Sequence, residues 1–237
     1  MVLKQWLIGV CLLAIALTCS GTLARAGTIG FPVARLEPWH LRFELAGDSF
    51  TEKLKNDVDA EGETGRALLT TAFGLTSWSE VYVRLGMAEF QVDEALFNGD
   101  FGFAYGGGVR LRLFSFPLGS LGVSAQYLRF TSDDDNSAGE SVSGEWEEVD
   151  LTVGIGTKRF GAFQFYVGGA FHYSDIVLDA DDSGESDKFE TETPFRLLLG
   201  THIYPLLDFP GGDFVINIET RVIGEIPQFT LGVQYAF

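Results

Sequence analysis

Apolar residues alternate with small or polar residues along most of the chain, and the clearest example is its C-terminus. From Phe229 to Phe237, every odd position is apolar or aromatic and every even position is small or polar. This period of two predicts a β-strand whose two faces meet different surroundings. A chain terminus usually frays, so the stripe also predicts that pairing holds the last strand in place.

Ten segments of the chain share this alternation, and we predict a β-strand for each of them. Most are long enough to cross a membrane at a tilt, which takes about 9–11 residues. The segments are 39–47, 66–76, 80–91, 100–115, 121–131, 146–158, 162–174, 194–204, 213–224 and 228–237.

The two faces differ in a way that favours a membrane barrel. In segment 146–158, Val149 and Leu151 lie on one face, and Glu148 and Asp150 lie on the other. We interpret the apolar face as outward and the polar or small face as inward, because the lumen of a transmembrane barrel accepts charged side chains. A soluble barrel has the same alternation with the opposite geometry.

The connections between the segments support the same fold. Long acidic connections (48–65, 132–145 and 175–193) alternate with short ones over most of the chain, as in outer-membrane barrels with short periplasmic turns and longer outer loops. The last two connections break this alternation. We therefore predict a closed antiparallel up-and-down transmembrane β-barrel of about ten strands, with eight strands as the alternative.

The N-terminus predicts export. Lys4 precedes an apolar stretch at 6–18, and Ala24-Arg25-Ala26 forms an A-x-A cleavage site, so residues 1–26 are expected to be a cleaved signal peptide. Residues 27–38 would then be a periplasmic leader, with folding of residues 28–38 into the lumen as the alternative, and 39–237 would be the barrel. Both cysteines, Cys11 and Cys19, lie in the signal, so the mature chain has no thiol.

Charge narrows the class of partner. Without Lys4 and Arg25, 14 basic residues face 33 acidic ones, a net charge of −19. Nucleic acid is therefore not an expected partner, because phosphate contacts need a basic surface. The chain is also 46% hydrophobic, which suggests two segregated surfaces, one charged and one apolar.

The final strand, with Tyr235 and the terminal Phe237, resembles the end of small outer-membrane β-barrel proteins of the OmpA/OmpX type and their opacity-protein relatives. The resemblance implies that this C-terminal pattern is the signal recognised by the barrel-assembly machinery. It also implies a monomer in the bacterial outer membrane, with outer-membrane lipid and lipopolysaccharide as further partners.

Charged residues on the predicted inner face are the first candidate site. One interpretation is a salt-bridged plug, because the interior of a small barrel is just wide enough for side chains. The alternative is a narrow pore whose arginines favour anions. The residues are Arg42, Glu44, Arg84, Arg110, Arg112, Glu148, Asp150, Arg196, Glu219 and Arg221.

An acidic stretch in the third long connection is the second candidate site. Its oxygen-bearing side chains partly follow the calcium-loop pattern, and calcium is the one cofactor that the sequence suggests. The alternative is a solvated acidic loop. The candidate ligands are Asp179, Asp181, Ser183, Glu185 and Glu190.

A third candidate is catalytic. His172 lies at the outer end of a predicted strand, followed by Ser174 and Asp175, and some outer-membrane barrels are lipid-modifying enzymes. No spacing places a second group to orient His172, so we expect that the protein is not an enzyme. We expect a structural or surface-interaction barrel with a plugged lumen, with a small porin and a His172 enzyme as alternatives.

Overall fold

The chain forms a closed antiparallel β-barrel. The computed structural model describes residues 30–237 except 57–58, 94, 96, 136–140, 181–185, 193, 206–211 and 224–225. Within that part of the chain, ten strands pair into a ring in sequence order, and two further short strands add to its wall at one end. The strands are β1 (Leu41–Lys55), β2 (Asp59–Thr76), β3 (Ser79–Val92), β4 (Phe97–Asn98), β5 (Gly102–Phe116), β6 (Gly119–Asp135), β7 (Ser141–Thr157), β8 (Phe163–Ala180), β9 (Ser186–Thr191), β10 (Phe195–Ile203), β11 (Asp213–Ile223) and β12 (Ile226–Ala236).

No helix among these residues is long and apolar enough to cross a bilayer.

The last strand closes the ring by pairing with the first. The β1–β12 ladder runs from Arg42 opposite Ala236 to Ser49 opposite Phe229. Beyond it, the backbones of Leu41 and Phe237 exchange two hydrogen bonds of 3.2 and 3.1 Å. The predicted ten-strand barrel is thus confirmed, and the alternating stripe at the C-terminus belongs to a strand paired on both sides.

The strands are paired differently at the two ends of the barrel. We call the end that carries Leu41 and Phe237 the turn end, and the opposite end the loop end. At the loop end, β9 pairs with β8 on one side and with β1 on the other. Because β11 and β12 stop short of this level, β9 completes the wall there.

Polarity inverts along the strands toward the loop end. On β7, the apolar Val149, Leu151 and Val153 face outward and the charged Asp150 is buried inside. Nearer the loop end on the same strand, the apolar Trp146 is buried inside instead. The other long strands follow the same scheme. The outward apolar residues therefore form a band around the turn-end part of the barrel, which we call the apolar band. The part beyond it, with a polar exterior and an apolar interior, we call the extension.

The extension corrects the predicted connections. Residues assigned to long loops, 48–65, 132–145 and 175–193, lie largely in β1, β2 and β6 to β9. Their outward positions are acidic or polar, which gives the segments the composition of loops. Their inward positions include Phe50, Leu54 and Ile176, which are fully buried. Burial of these apolar side chains stabilises the continuation of the strands.

Candidate functional site

An apolar cluster closes the interior of the barrel at its loop end. Trp146 stacks on Phe130 with ring centroids 5.6 Å apart, and Phe90 meets Trp146 edge-on at 5.5 Å. We call this cluster the apolar cap. It comprises Phe50, Leu54, Ala60, Leu68, Ala88, Phe90, Val92, Phe97, Ala104, Leu128, Phe130, Trp146, Ile176, Leu178 and Phe189.

A layer of buried ion pairs lies below the cap. Arg66 donates from Nε to Asp48 at 2.8 Å and from Nη1 to Glu148 at 2.7 Å. These three side chains are at most 2% exposed. Charges buried to this extent are stable only when they are paired and hydrogen-bonded, so Arg66 and its two carboxylates stabilise one another.

His172 lies in the same layer, between two carboxylates. Its Nδ1 is 2.7 Å from Asp150 Oδ1, and its Nε2 is 3.3 Å from Glu52 Oε2. The other oxygen of Glu52 accepts a hydrogen bond of 2.8 Å from Arg196, and Oε2 accepts a further one from Ser174. An imidazolium, which donates from both ring nitrogens, satisfies both carboxylates.

Glu80 organises the ionic groups nearer the turn end. Its Oε1 accepts hydrogen bonds from Arg42 at 2.7 Å and from Arg110 at 2.9 Å. Its Oε2 accepts the backbone N–H groups of Arg35 at 3.0 Å and Leu36 at 3.2 Å. Glu80 thereby joins the barrel wall to the chain that precedes β1.

That preceding chain, residues 30–37, lies inside the barrel, and we call it the inserted segment. The N–H of Gly30 donates to Glu219 at 3.0 Å. Phe31 and Val33 pack against Tyr166 and other inner-wall residues. The predicted leader, 27–38, thus occupies the lumen over its described part, and 27–29 lie outside the described residues.

Four glycines on the inner wall make room for the inserted segment. A Cβ atom on Gly156 would lie 2.0 Å from Phe31 Cζ, and one on Gly154 would lie 2.6 Å from Pro32 Cγ. Gly122 and Gly74 are similarly close to Val33 and Glu37. The small residues that the sequence shows on the inner face are therefore a bed for a peptide segment.

Nine of the ten residues predicted for the lumen are buried inside the barrel. The tenth, Arg112, is half-buried near the turn end. The nine are Arg42, Glu44, Arg84, Arg110, Glu148, Asp150, Arg196, Glu219 and Arg221.

Sequence reasoning missed the inward Arg66 and Glu80, although both lie in predicted strand segments. It also missed the inward carboxylates Asp48 and Glu52, because they were assigned to a loop. Their even phase continues from Glu44 along β1, and that continuity was the available signal.

The candidate calcium ligands fall on two strands and on undescribed residues. Asp179 lies opposite Ser186, whereas Glu190 lies opposite Asp175. Four ladder positions therefore separate Asp179 from Glu190, about 13 Å along the strands, so these two carboxylates do not share one ion. Glu190 instead binds Lys188 at 3.2 Å.

The remaining candidate ligands, Asp181, Ser183 and Glu185, lie outside the described residues. Among the described residues, no group of three or more His, Cys, Asp or Glu side chains is arranged to hold a metal ion. Calcium binding by the loops stays a prediction.

The C-terminal aromatic residues lie at the seam of the barrel. The ring of Phe237 is 5.8 Å from Phe43 on β1 and 6.0 Å from Tyr235. Phe237 is 48% exposed, so it is accessible on the outer surface beside the strand that closes the ring.

Known proteins resemble this chain in fold but not in sequence. The sequence matches no protein-family model and no curated protein. Among solved structures, the translocator domain of the autotransporter NalP from Neisseria meningitidis is 12% identical, with a TM-score of 0.49 over 99% of this chain and 95% of that one. The transport unit of the autotransporter AIDA-I from Escherichia coli is 9% identical, with a TM-score of 0.47 over 94% and 97%. Likeness at this level concerns the barrel fold alone.

A third similar structure corrects one expectation. It is the outer membrane protease OmpT from Escherichia coli, which is 9% identical, with a TM-score of 0.45 over 89% of this chain and 100% of that one. We expected from the sequence that the protein is not an enzyme, and that inference was wrong, because a barrel of this kind also serves as a protease. The likeness is too distant to establish an activity for this chain.

Proposed function

We propose that the protein is a bacterial outer-membrane barrel with a closed lumen, which has a structural or surface-interaction role at the cell surface. The apolar band supports the membrane location. Val83, Leu151 and Phe165 project from its outer face and are 55%, 51% and 51% exposed. Such a surface is stable when lipid rather than water covers it.

The observation that carries the closed lumen is that described side chains and the inserted segment occupy the interior at three levels. The apolar cap fills the extension, the paired ions around Arg66 and His172 fill the middle, and the inserted segment fills the turn end. A porin needs a continuous aqueous path. The filled interior therefore favours a role on the outer surface over solute passage.

The extension is the part of the barrel that we assign to the cell exterior. In outer-membrane barrels the chain projects further on the outer side than on the periplasmic side. Here the strands project beyond the apolar band at the loop end, as the extension, which puts the turn end in the periplasm. On β7 the extension runs from Ser141 to Glu147, roughly 20 Å along the strand. Its outward carboxylates, such as Glu145 and Glu147, present an acidic surface to partners.

Planar-bilayer conductance of the folded full chain tests the closed lumen. We expect no stable conductance, with folding confirmed by a heat-dependent gel shift. Stable anion-selective steps would contradict the closed lumen and favour the small porin.

Cysteine labelling in intact cells tests the orientation. Both native cysteines lie in residues 1–26, so a single introduced cysteine reports one position. Thr131→Cys, on the exterior of the extension, should react with a membrane-impermeant maleimide. Lys158→Cys, exposed at the turn end, should react only after the outer membrane is permeabilised. The reverse pattern would contradict the assignment.

The proposal also includes recognition of the C-terminus by the barrel-assembly machinery. The exposed ring of Phe237, next to the closing seam, fits a signal read by the barrel-assembly machinery before the ring closes. Phe237→Ser should therefore lower the fraction of heat-modifiable barrel in cells while leaving refolding in detergent unchanged. Equal assembly of Phe237→Ser and wild type would contradict this role.

A further inference from the structure

We propose that the turn-end half of the lumen is a peptide-binding site. The inserted segment occupies it in cis, and a free peptide with the chemistry of residues 30–37 can replace that segment. The proposal goes beyond the closed surface barrel and does not depend on its membrane location. It concerns what the lumen recognises.

The site recognises the peptide backbone through carboxylates. Glu219 accepts the N–H of Gly30, and Glu80 accepts the N–H groups of Arg35 and Leu36. None of the residues 30–40 belongs to a strand, so this chain is not held by a sheet ladder. Buried carboxylates of the wall that bind the backbone of a segment outside the sheet are a means of peptide recognition.

The site also provides pockets for two side chains of the peptide. The Phe31 ring packs edge-on against Tyr166 at 5.0 Å and stacks on His202 at 5.1 Å. The Arg35 guanidinium contacts His202 and the hydroxyl of Tyr204. An aromatic pocket and an arginine pocket four residues apart define the ligand as a peptide with an aromatic residue and an arginine at that spacing, bent at the two residues that follow the aromatic one.

Glycines line the floor of the site beneath the inserted segment. Gly156, Gly154 and Gly122 follow the course of Phe31, Pro32 and Val33, and a Cβ on each would clash with this chain; on Gly122 it would also lie 2.6 Å from the wall carbonyl of Leu111. Glycine within a strand weakens the strand and often marks the close approach of another backbone. The floor therefore takes its shape from a peptide passing over it.

The chain between the inserted segment and β1 is exposed and can be cut. Trp39 follows it, is 80% exposed, and has a φ of 70°. A positive φ is unfavourable for a residue with a large side chain. A cut at this position would leave the barrel strands and the inserted segment each intact.

The test uses the full chain with a protease recognition site inserted at Trp39. After folding and cleavage, a fluorescent synthetic peptide of residues 30–38 is added, and its binding is followed by fluorescence anisotropy. We expect saturable binding that the unlabelled peptide competes away. A peptide with Phe31→Ala should bind at least about 100-fold more weakly, because a buried phenylalanine is lost. Failure of the labelled peptide to bind would overturn the proposal, whether the segment stays in place or the cut barrel unfolds.

Two glycine variants of the cleavable chain sharpen the test. Gly156→Val fills the Phe31 position and should abolish peptide binding, while the heat-dependent gel shift still reports a folded barrel. Gly169→Val is the matched control on β8, because a Cβ there meets nothing within 4 Å, and it should bind peptide like the parent. Equal binding by the two variants would overturn the assigned site. The conductance result is separate, so failure here leaves the closed-lumen test unaffected.

Discussion

Trp146 and Glu148 are two residues apart on the inner face of β7, and both are buried, at 0% and 2% exposure. Trp146 belongs to the apolar cap, whereas Glu148 binds Arg66 at 2.7 Å. The change from an apolar to an ionic interior therefore occurs within one strand. It coincides with the change from a polar to an apolar exterior. The barrel therefore has an apolar interior and a polar exterior in the extension, and the reverse in the apolar band.

The cap should contribute strongly to stability. Trp146→Ala removes the largest side chain of the cap and leaves a cavity, so we expect a loss of about 3–5 kcal/mol in the free energy of unfolding. Urea titration in detergent, followed by the gel shift, measures it. Trp78→Ala is the control, because Trp78 is 54% exposed at the turn end. Equal losses in the two variants would show that the cap does not act as a core.

The buried ion pairs should depend on having both partners. Arg66→Met leaves Asp48 and Glu148 buried without their cation, and we expect a loss of about 3–5 kcal/mol in stability. Replacing both carboxylates by amides in the same chain should recover part of that loss, because no buried charge then remains unpaired.

The exterior offers a matched control for this prediction. Arg129 and Glu145 form an ion pair at 2.5 Å with side chains 36% and 35% exposed. Arg129→Met should change stability far less than Arg66→Met, because solvent screens the pair. A loss as large as that of Arg66→Met would contradict the distinction between the two layers.

The sequence predicted the barrel well because a single pattern covers most of it. Alternation from Phe229 to Phe237 gave the last strand, and its pairing with β1 follows from ring closure. The extension escaped prediction because its outward residues are acidic and its connections look like loops. The tandem Glu147-Glu148 marks the inversion, since the outward pattern changes there from charged to apolar.

The interior was predictable residue by residue but not as an arrangement. Phase placed Arg110 and Glu219 inside, yet a pattern of period two contains no information about which inward charges meet across the lumen. The inserted segment was even less accessible, because Arg35 finds its partners 45 to 169 positions away along the chain, and Phe31 packs on rings as distant as Tyr166 and His202. The inner glycines were the one signal, and alone they also fit a narrow lumen.

The extension should respond to pH through Glu89. Partial burial, with Asp100 and Glu63 nearby, raises the pKa of Glu89 above its ordinary value. A carboxyl group with a raised pKa in the folded state stabilises the fold below its ordinary pKa, and this contribution is lost as pH rises through the folded value. Glu89→Gln should therefore be more stable than wild type at pH 7, and the difference should shrink as pH falls toward 4. Urea midpoints measured across this range, with the exposed Glu192→Gln as control, check it. A difference that is independent of pH would contradict the prediction.

The apolar band should be sensitive to charge in a way that the extension is not. Leu151 points outward from the middle of the band, whereas Thr131 points outward from β6 in the extension. An arginine that faces lipid near the bilayer midplane costs about 2–4 kcal/mol, and this cost falls toward zero near the interface. Leu151→Arg should thus lower the stability of the barrel folded into lipid vesicles by about that amount, while Thr131→Arg should have little effect. Urea titration of both variants in vesicles measures the difference. Equal stabilities would mean that lipid does not cover Leu151, and the membrane location itself would then be wrong.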